Sequence, residues 1–138
     1  MAKVSILEFT VDDDEVKKMH FNFNSTEPIY LQVASQIEEA IFTKNYAEEE
    51  QIPSTTEISR DFHINPATVL KGINLLVSDG LVEKKRGIGM FVAQGAYEKL
   101  VRKRRELFYQ DEIVQVVDEA KRLQISKEEL LDLIKRGF

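Results

Sequence analysis

The stretch Ile64–Lys71, INPATVLK, gathers side chains of the kind that read a nucleic-acid duplex. Asn65 can pair bidentately with an adenine edge, and Ala67 or the methyl of Thr68 can rest against the C5-methyl of thymine. Lys71 is the single cation of the stretch. A helix entering a major groove by its N-terminal end needs small residues there, and its free N–H groups favour phosphate. Asn65 and Pro66 also have a local use, as N-cap and first helical residue, which holds with or without DNA. A second group, Lys84-Lys85-Arg86-Gly87-Ile88-Gly89, sets three consecutive cations beside two glycines. Such a tip can lie on phosphates or enter a minor groove, glycine removing bulk that would hold the backbone away. Alone it would be a soluble charged turn; one turn after a capped helix, phosphate contact is the preferred reading.

Other chemistry finds little support. The chain has no cysteine, which excludes disulfides, thiolate zinc sites and a thiol nucleophile. His20 and His63 are the only histidines and lack metal-ligand spacing; His63 is expected to face solvent or cap a turn. Asp12-Asp13-Asp14-Glu15 forms no complete Ca²⁺ loop and is expected to be a solvated turn. No Gly-rich phosphate loop or nucleophile motif is present. Neither catalysis nor a metal or other cofactor is expected. Glu48-Glu49-Glu50 receives no role.

The charge distribution matters more than its total. The 138 residues carry a formal net charge of −5, which argues against indiscriminate polyanion binding. Yet residues 20–51 hold one Lys or Arg, Lys44, while 52–92 hold five (Arg60, Lys71, Lys84, Lys85, Arg86) against four acidic residues. Arg102-Lys103-Arg104-Arg105 follows. Those four can reach backbone phosphates, or form the wet face of a dimerisation helix beside Glu98, Glu106 and Asp111; the wet face is preferred.

These residues need elements to position them. Pro28 opens a helix with Ile29, Val33, Ile37 and Ile41 on one stripe, running to about Lys44. Residues 45–51, polar and acidic, are expected to be a loop. Ser54-Thr55-Thr56-Glu57 matches a capping box and opens a short helix ending near Phe62, with Ile58 and Phe62 inward. After a turn at His63 and Ile64, the helix begun at Pro66 turns Val69, Ile73, Leu76 and Val77 inward and stops at Gly80. Leu81–Lys85 and Met90–Ala93 then form a β-hairpin. Helix, capped helix, tight turn, second capped helix and hairpin make a winged helix-turn-helix.

From Tyr97 to Leu123 a long charged helix is expected, with Leu100, Leu107, Phe108, Val114, Val117 and Ala120 as its seam. Ser126-Lys127-Glu128-Glu129 is a second capping box, opening a helix with Leu130, Leu131 and Ile134. Helices this short do not bury such seams alone. They must pack on the first domain or on a second chain; the second is preferred, a homodimer through Leu100, Leu107, Phe108, Val114, Val117, Leu123, Leu130 and Ile134. The fold class is mainly α with a small β-hairpin. Residues 1–19 are read as an N-terminal extension, disordered or not native, with KVSILEFTV a candidate strand and Met19 an alternative start. Residues 20–95 form the DNA-binding domain and 96–138 the two-helix dimerisation region. A cytoplasmic location follows, with no membrane partner, since no apolar run approaches ~20 residues.

EPIYLQVASQIEEAI, IPSTTEIS and INPATVLKGINLLVSDGLVEKKRGIGMFV, in that order, resemble the GntR family of bacterial transcription regulators, over about residues 27–93. The NPxTV form and the short tail resemble its YtrA-type subfamily. The resemblance implies a homodimeric repressor, often encoded beside an ABC transporter that it controls, without a large effector domain. Carried over by position, the recognition role falls on Ser54, Asn65, Ala67, Thr68 and Lys71, and the wing role on Arg86, Gly87 and Gly89; Thr55, Thr56 and Lys85 beside them are also expected to touch DNA. Two departures stand out: Thr56 and Leu70 occupy places where the family commonly has arginine. They motivate an alternative, a winged helix turned protein-interaction module. A third reading is a small-molecule sensor, with an effector lodged between Phe108, Tyr109 and the winged domain.

Overall fold

The computed structural model describes residues 19–138; the expectations for the strand, the acidic turn and the extension before Met19 lie outside the described residues. The chain divides into two compact units, the first ending at Leu100 and the second spanning Val101–Phe138.

In the first unit, α1 (Ile29–Phe42) follows Pro28, whose ring suits the start of a helix. Val33, Ile37 and Ile41 are fully buried on the expected stripe. The buried Gln32 amide closes the entry to this helix. Its Nε2 donates to the carbonyls of Asn22 and Glu27 (both 3.0 Å), and its Oε1 accepts from the Asn22 N–H at 2.8 Å. Helices α2 (Thr55–Phe62) and α3 (Pro66–Ser78) follow, then β1 (Val82–Lys85) and β2 (Gly89–Val92) as an antiparallel hairpin. The core side of α3 is Val69, Gly72, Ile73 and Leu76. Val77, expected inward, is 36% exposed; it lies about 100° round the helix from Leu76, beyond the edge of the core stripe. At Gly72 α1 and α3 approach closely, since a Cβ there would stand 2.5 Å from the Tyr30 carbonyl oxygen.

The segment expected to be a plain loop is partly sheet. Gln51 bridges to Phe91, the Ile52 N–H donates to Met90 O at 2.9 Å, and Glu49 and Glu50 bond to either side of Val92. This makes a third edge that holds the wing against the helices.

Helix α4 (Ala96–Leu107) begins in the first unit and crosses into the second. Leu100, expected at a dimer seam, is fully buried in the core of the first unit together with Ala96. It has no surface left for a second chain. The winged unit accordingly ends at Leu100 rather than at residue 95. The expected single long helix is also modified: Phe108–Ile113 is a π-helical turn between α4 and α5 (Val114–Arg122). Its wider turn shifts every later side chain around the axis by about one residue.

In the second unit, α5 ends in a left-handed residue, Gln124 (φ 60°), and the Ile125 N–H donates to Ala120 O at 2.8 Å. Helix α6 (Lys127–Gly137) opens on the expected capping box of Ser126 and Glu129. The helices, the two-stranded hairpin and the turns are those of a winged helix-turn-helix followed by C-terminal helices. No described helix is long and apolar enough to cross a membrane.

Candidate nucleic-acid interface

The approach to the site is built by caps. Ser54 Oγ accepts from the Glu57 N–H at 3.0 Å, and Glu57 Oε1 accepts from the Ser54 N–H at 2.8 Å. This leaves the first turn of α2, with Thr55 and Thr56, at the surface with the unpaired N–H dipoles of a helix start. His63 closes α2 in the left-handed conformation (φ 55°), and Ser59 Oγ donates to Ile64 O at 2.6 Å. Buried Ile64 anchors that turn to the core.

Helix α3 then starts on Asn65, whose Oδ1 accepts from the Ala67 N–H at 2.8 Å. The cap occupies one lone pair of the oxygen that adenine recognition would use, so a base contact by Asn65 would have to share Oδ1. With Val69, Ile73 and Leu76 turned to the core, Ala67, Leu70, Lys71 and Asn74 form the opposite, exposed face. Thr68 is half-buried. The Lys71 ammonium sits over the Tyr30 ring, 4.0 Å from its centroid.

The wing pairs Val82 with Val92, Glu83 with Phe91, Lys84 with Met90 and Lys85 with Gly89. Its tip is Arg86-Gly87-Ile88, and the Ile88 N–H donates to Lys85 O at 2.9 Å. Gly87 has φ +77° with open space around it, so its backbone conformation alone favours glycine. Gly89 (φ +146°) has a second reason. A side chain there would strike the Gln51 amide, whose Nε2 donates to Ile88 O at 3.2 Å. The Lys85 ammonium lies over Phe91, 4.5 Å from the ring centroid, while Arg86 is exposed.

One cleft of about 360 Å³ joins these parts. It is lined by Ser54, Thr55 and Thr56 of the α2 start, Leu70 of α3, and Lys84, Lys85, Gly87, Ile88, Gly89 and Met90 of the wing. Six of the eleven residues expected to touch DNA therefore share its wall. Ala67, Lys71 and Asn65 stand on the neighbouring exposed face, and Arg86 at the wing tip. Leu70 and Ile88 were missed as contact residues, although both are large, apolar and exposed. The spacing 67, 70, 71, 74 was the signal available for Leu70.

Glu48, assigned no role, has one. Its carboxylate accepts from the N–H groups of Gly95 (2.9 Å) and Tyr97 (3.4 Å), capping the start of α4 from the segment that edges the wing. Among the described residues no cluster of three or more His, Asp or Glu is arranged to hold a metal ion. In the second unit Leu107, Phe108, Val114, Val117, Leu123 and Ile134 are exposed, and Leu130 is half-buried.

A family model for the bacterial regulatory proteins of the gntR family matches residues 29–92. The chain is 32% identical to the HTH-type transcriptional regulator YhcF of Bacillus subtilis, over 85% of this chain and 95% of that protein. It is 27% identical to the HTH-type transcriptional repressor YtrA of the same organism, over 80% and 85% of the two chains. A solved GntR-family regulator from Bacteroides thetaiotaomicron, 34% identical, superposes with a TM-score of 0.62 over 80% of this chain and 99% of that one. Capped helices, wing and sequence agree: the chain belongs to the GntR family of bacterial regulatory proteins, as a DNA-binding transcriptional regulator and not an enzyme.

Proposed function

We propose that the chain is a sequence-specific repressor that binds an inverted-repeat operator as a homodimer. The observation that carries the reading is the convergence of the α2 start, Leu70 of α3 and the wing on one cleft. Each is a part that a winged helix brings to a duplex: helix N–H groups and cations for phosphate, and an exposed helix face for base edges. The repressor role is supported by the likeness to the repressor YtrA. Dimerisation is supported by the second unit, whose helices leave Leu107, Phe108, Val117 and Leu131 exposed. A lone chain gains nothing from apolar faces held in water, and a second copy would cover them. Two recognition helices then fall about one helical turn apart, giving half-sites ~10 bp apart or somewhat more.

The regulated operon in this proposal encodes an ABC transporter, as the likeness to the YtrA type suggests, and the protein acts in the cytoplasm. An amphipathic small-molecule effector completes the proposal; the open surface beside Phe108, with Val116, Glu119 and Arg122, offers both apolar and charged contacts. Thermal-shift screening against amphipathic compounds tests that part, and absence of any stabilising compound removes it.

The central experiment is a mobility-shift titration of the full chain against its own upstream region at several salt concentrations. Saturable binding with a sequence preference, weakening steeply with salt, is expected. Binding without sequence preference, or none that saturates, overturns the repressor reading in favour of a protein-interaction module.

A further inference from the structure

The face that α3 presents to a duplex is unusual in its chemistry. Ala67, Leu70, Lys71 and Asn74 follow one another at intervals of three, one and three residues, which places them on one side of the helix. The only cation among them, Lys71, has its ammonium over Tyr30 on the α1 side. On the wing side the face is apolar. Leu70 is 41% exposed and stands in the cleft with Thr55, Thr56 and Ile88. The core does not require it, because Val69 and Ile73, further round α3, are already fully buried.

A leucine neither donates nor accepts a hydrogen bond. It therefore cannot read the guanine edge, the adenine edge or the cytosine amine, and it gains nothing from phosphate. One group in the major groove suits it, the C5-methyl of thymine. Contact with that methyl removes apolar surface of both partners from water. Opposite any other base, Leu70 would displace water from a polar edge and offer no hydrogen bond in return.

Resting on the reading of this face as the DNA-contacting one, we propose that Leu70 is a specificity-determining residue that recognises a thymine methyl. The operator then carries, in each half-site, an A·T pair whose thymine faces Leu70. Thr56 belongs to the same wall of the cleft and brings a hydroxyl, so the α2–α3 wall of the cleft favours neutral contacts, with cations supplied by the wing and, outside the cleft, by Lys71.

The test removes the apolar group from each side of the contact in turn, the thymine methyl and the Leu70 isopropyl. The full chain selects its preferred duplex from a random pool, and each thymine of that duplex is replaced in turn by deoxyuridine, which keeps base pairing and deletes only the C5-methyl. One thymine per half-site is expected at which the replacement weakens wild-type binding about fourfold, the equivalent of roughly 0.8 kcal/mol for one buried methyl-sized group. Leu70→Ala should bind the selected duplex more weakly and show no further weakening at that thymine. Leu70→Met, which keeps the apolar contact, should retain the sensitivity. Both variants alter an exposed side chain, and matching thermal unfolding confirms that they fold. A selected duplex with no methyl effect, or with an effect that persists in Leu70→Ala, overturns the inference while leaving the repressor reading intact. Failure to select any sequence overturns the repressor reading itself, and this inference with it.

Discussion

Replacing Gly72 by alanine tests whether the recognition helix is held by a backbone-to-backbone fit. Alanine is the better helix former by about 1 kcal/mol, so on propensity alone the change should stabilise α3. The packing says otherwise. A Cβ at position 72 would stand 2.5 Å from the Tyr30 carbonyl oxygen and 2.9 Å from Val33 Cβ. Comfortable contacts between such atoms begin near ~3.5 Å, so the helices must part by something under about 1 Å. Neither obstacle can swing aside: one is backbone and the other is the stem of a fully buried, β-branched residue. Overpacking of this kind costs about 1–3 kcal/mol. After the propensity gain of about 1 kcal/mol, a net destabilisation of up to about 2 kcal/mol remains. With a urea slope of roughly 2 kcal/mol/M, the unfolding midpoint should fall by up to about 1 M.

Ser35→Ala, on the exposed side of α1, is the control; it should move the midpoint slightly upward. If Gly72→Ala raises the midpoint, as propensity alone would, while the control behaves as stated, the close approach of α1 and α3 is wrong. Operator affinity should fall further than stability alone requires, because any parting of α1 from α3 re-aims the face that carries Leu70 and Lys71.

Three other perturbations address separate parts. Arg86→Ala and Lys71→Ala change exposed side chains and should weaken operator binding with the fold intact, each lowering the salt slope by about one for the phosphate that the cation no longer neutralises; unchanged affinity would reassign that residue. Glu48→Ala removes the acceptor for the Gly95 and Tyr97 N–H groups, at a cost of about 1 kcal/mol by analogy with an N-cap, and should speed amide exchange at those two residues; unchanged exchange would deny the cap. Phe108→Glu puts a charge on the exposed apolar surface of the second unit and should halve the mass seen by analytical ultracentrifugation, with cooperative unfolding of the winged unit retained; an unaltered mass would remove Phe108 from the subunit contact.

What was legible in the sequence was what neighbouring residues settle among themselves. The capping boxes at Ser54 and Ser126, the Asn65-Pro66 helix start and the stop at Gly80 each depend on groups within four residues, and each stands as expected. The features that escaped depend on distant partners. Glu48 caps a helix that begins 48 residues later, and Gln51 meets Phe91 across the wing. A run of three glutamates carries no mark of either. Leu100 shows the limit most clearly. It lies seven residues before Leu107, two helical turns along the same charged helix, and periodicity treats the two alike. Only the fold separates them: Leu100 is sealed in the core of the winged unit, whereas Leu107 is 44% exposed. A hydrophobic stripe thus states that a face must be covered and is silent on what covers it. The same holds for Leu70. It stands where the family commonly has arginine, and its apolarity left its contact unread; its exposure, in a cleft shared with the wing, supports the proposed part in the interface with a different chemistry.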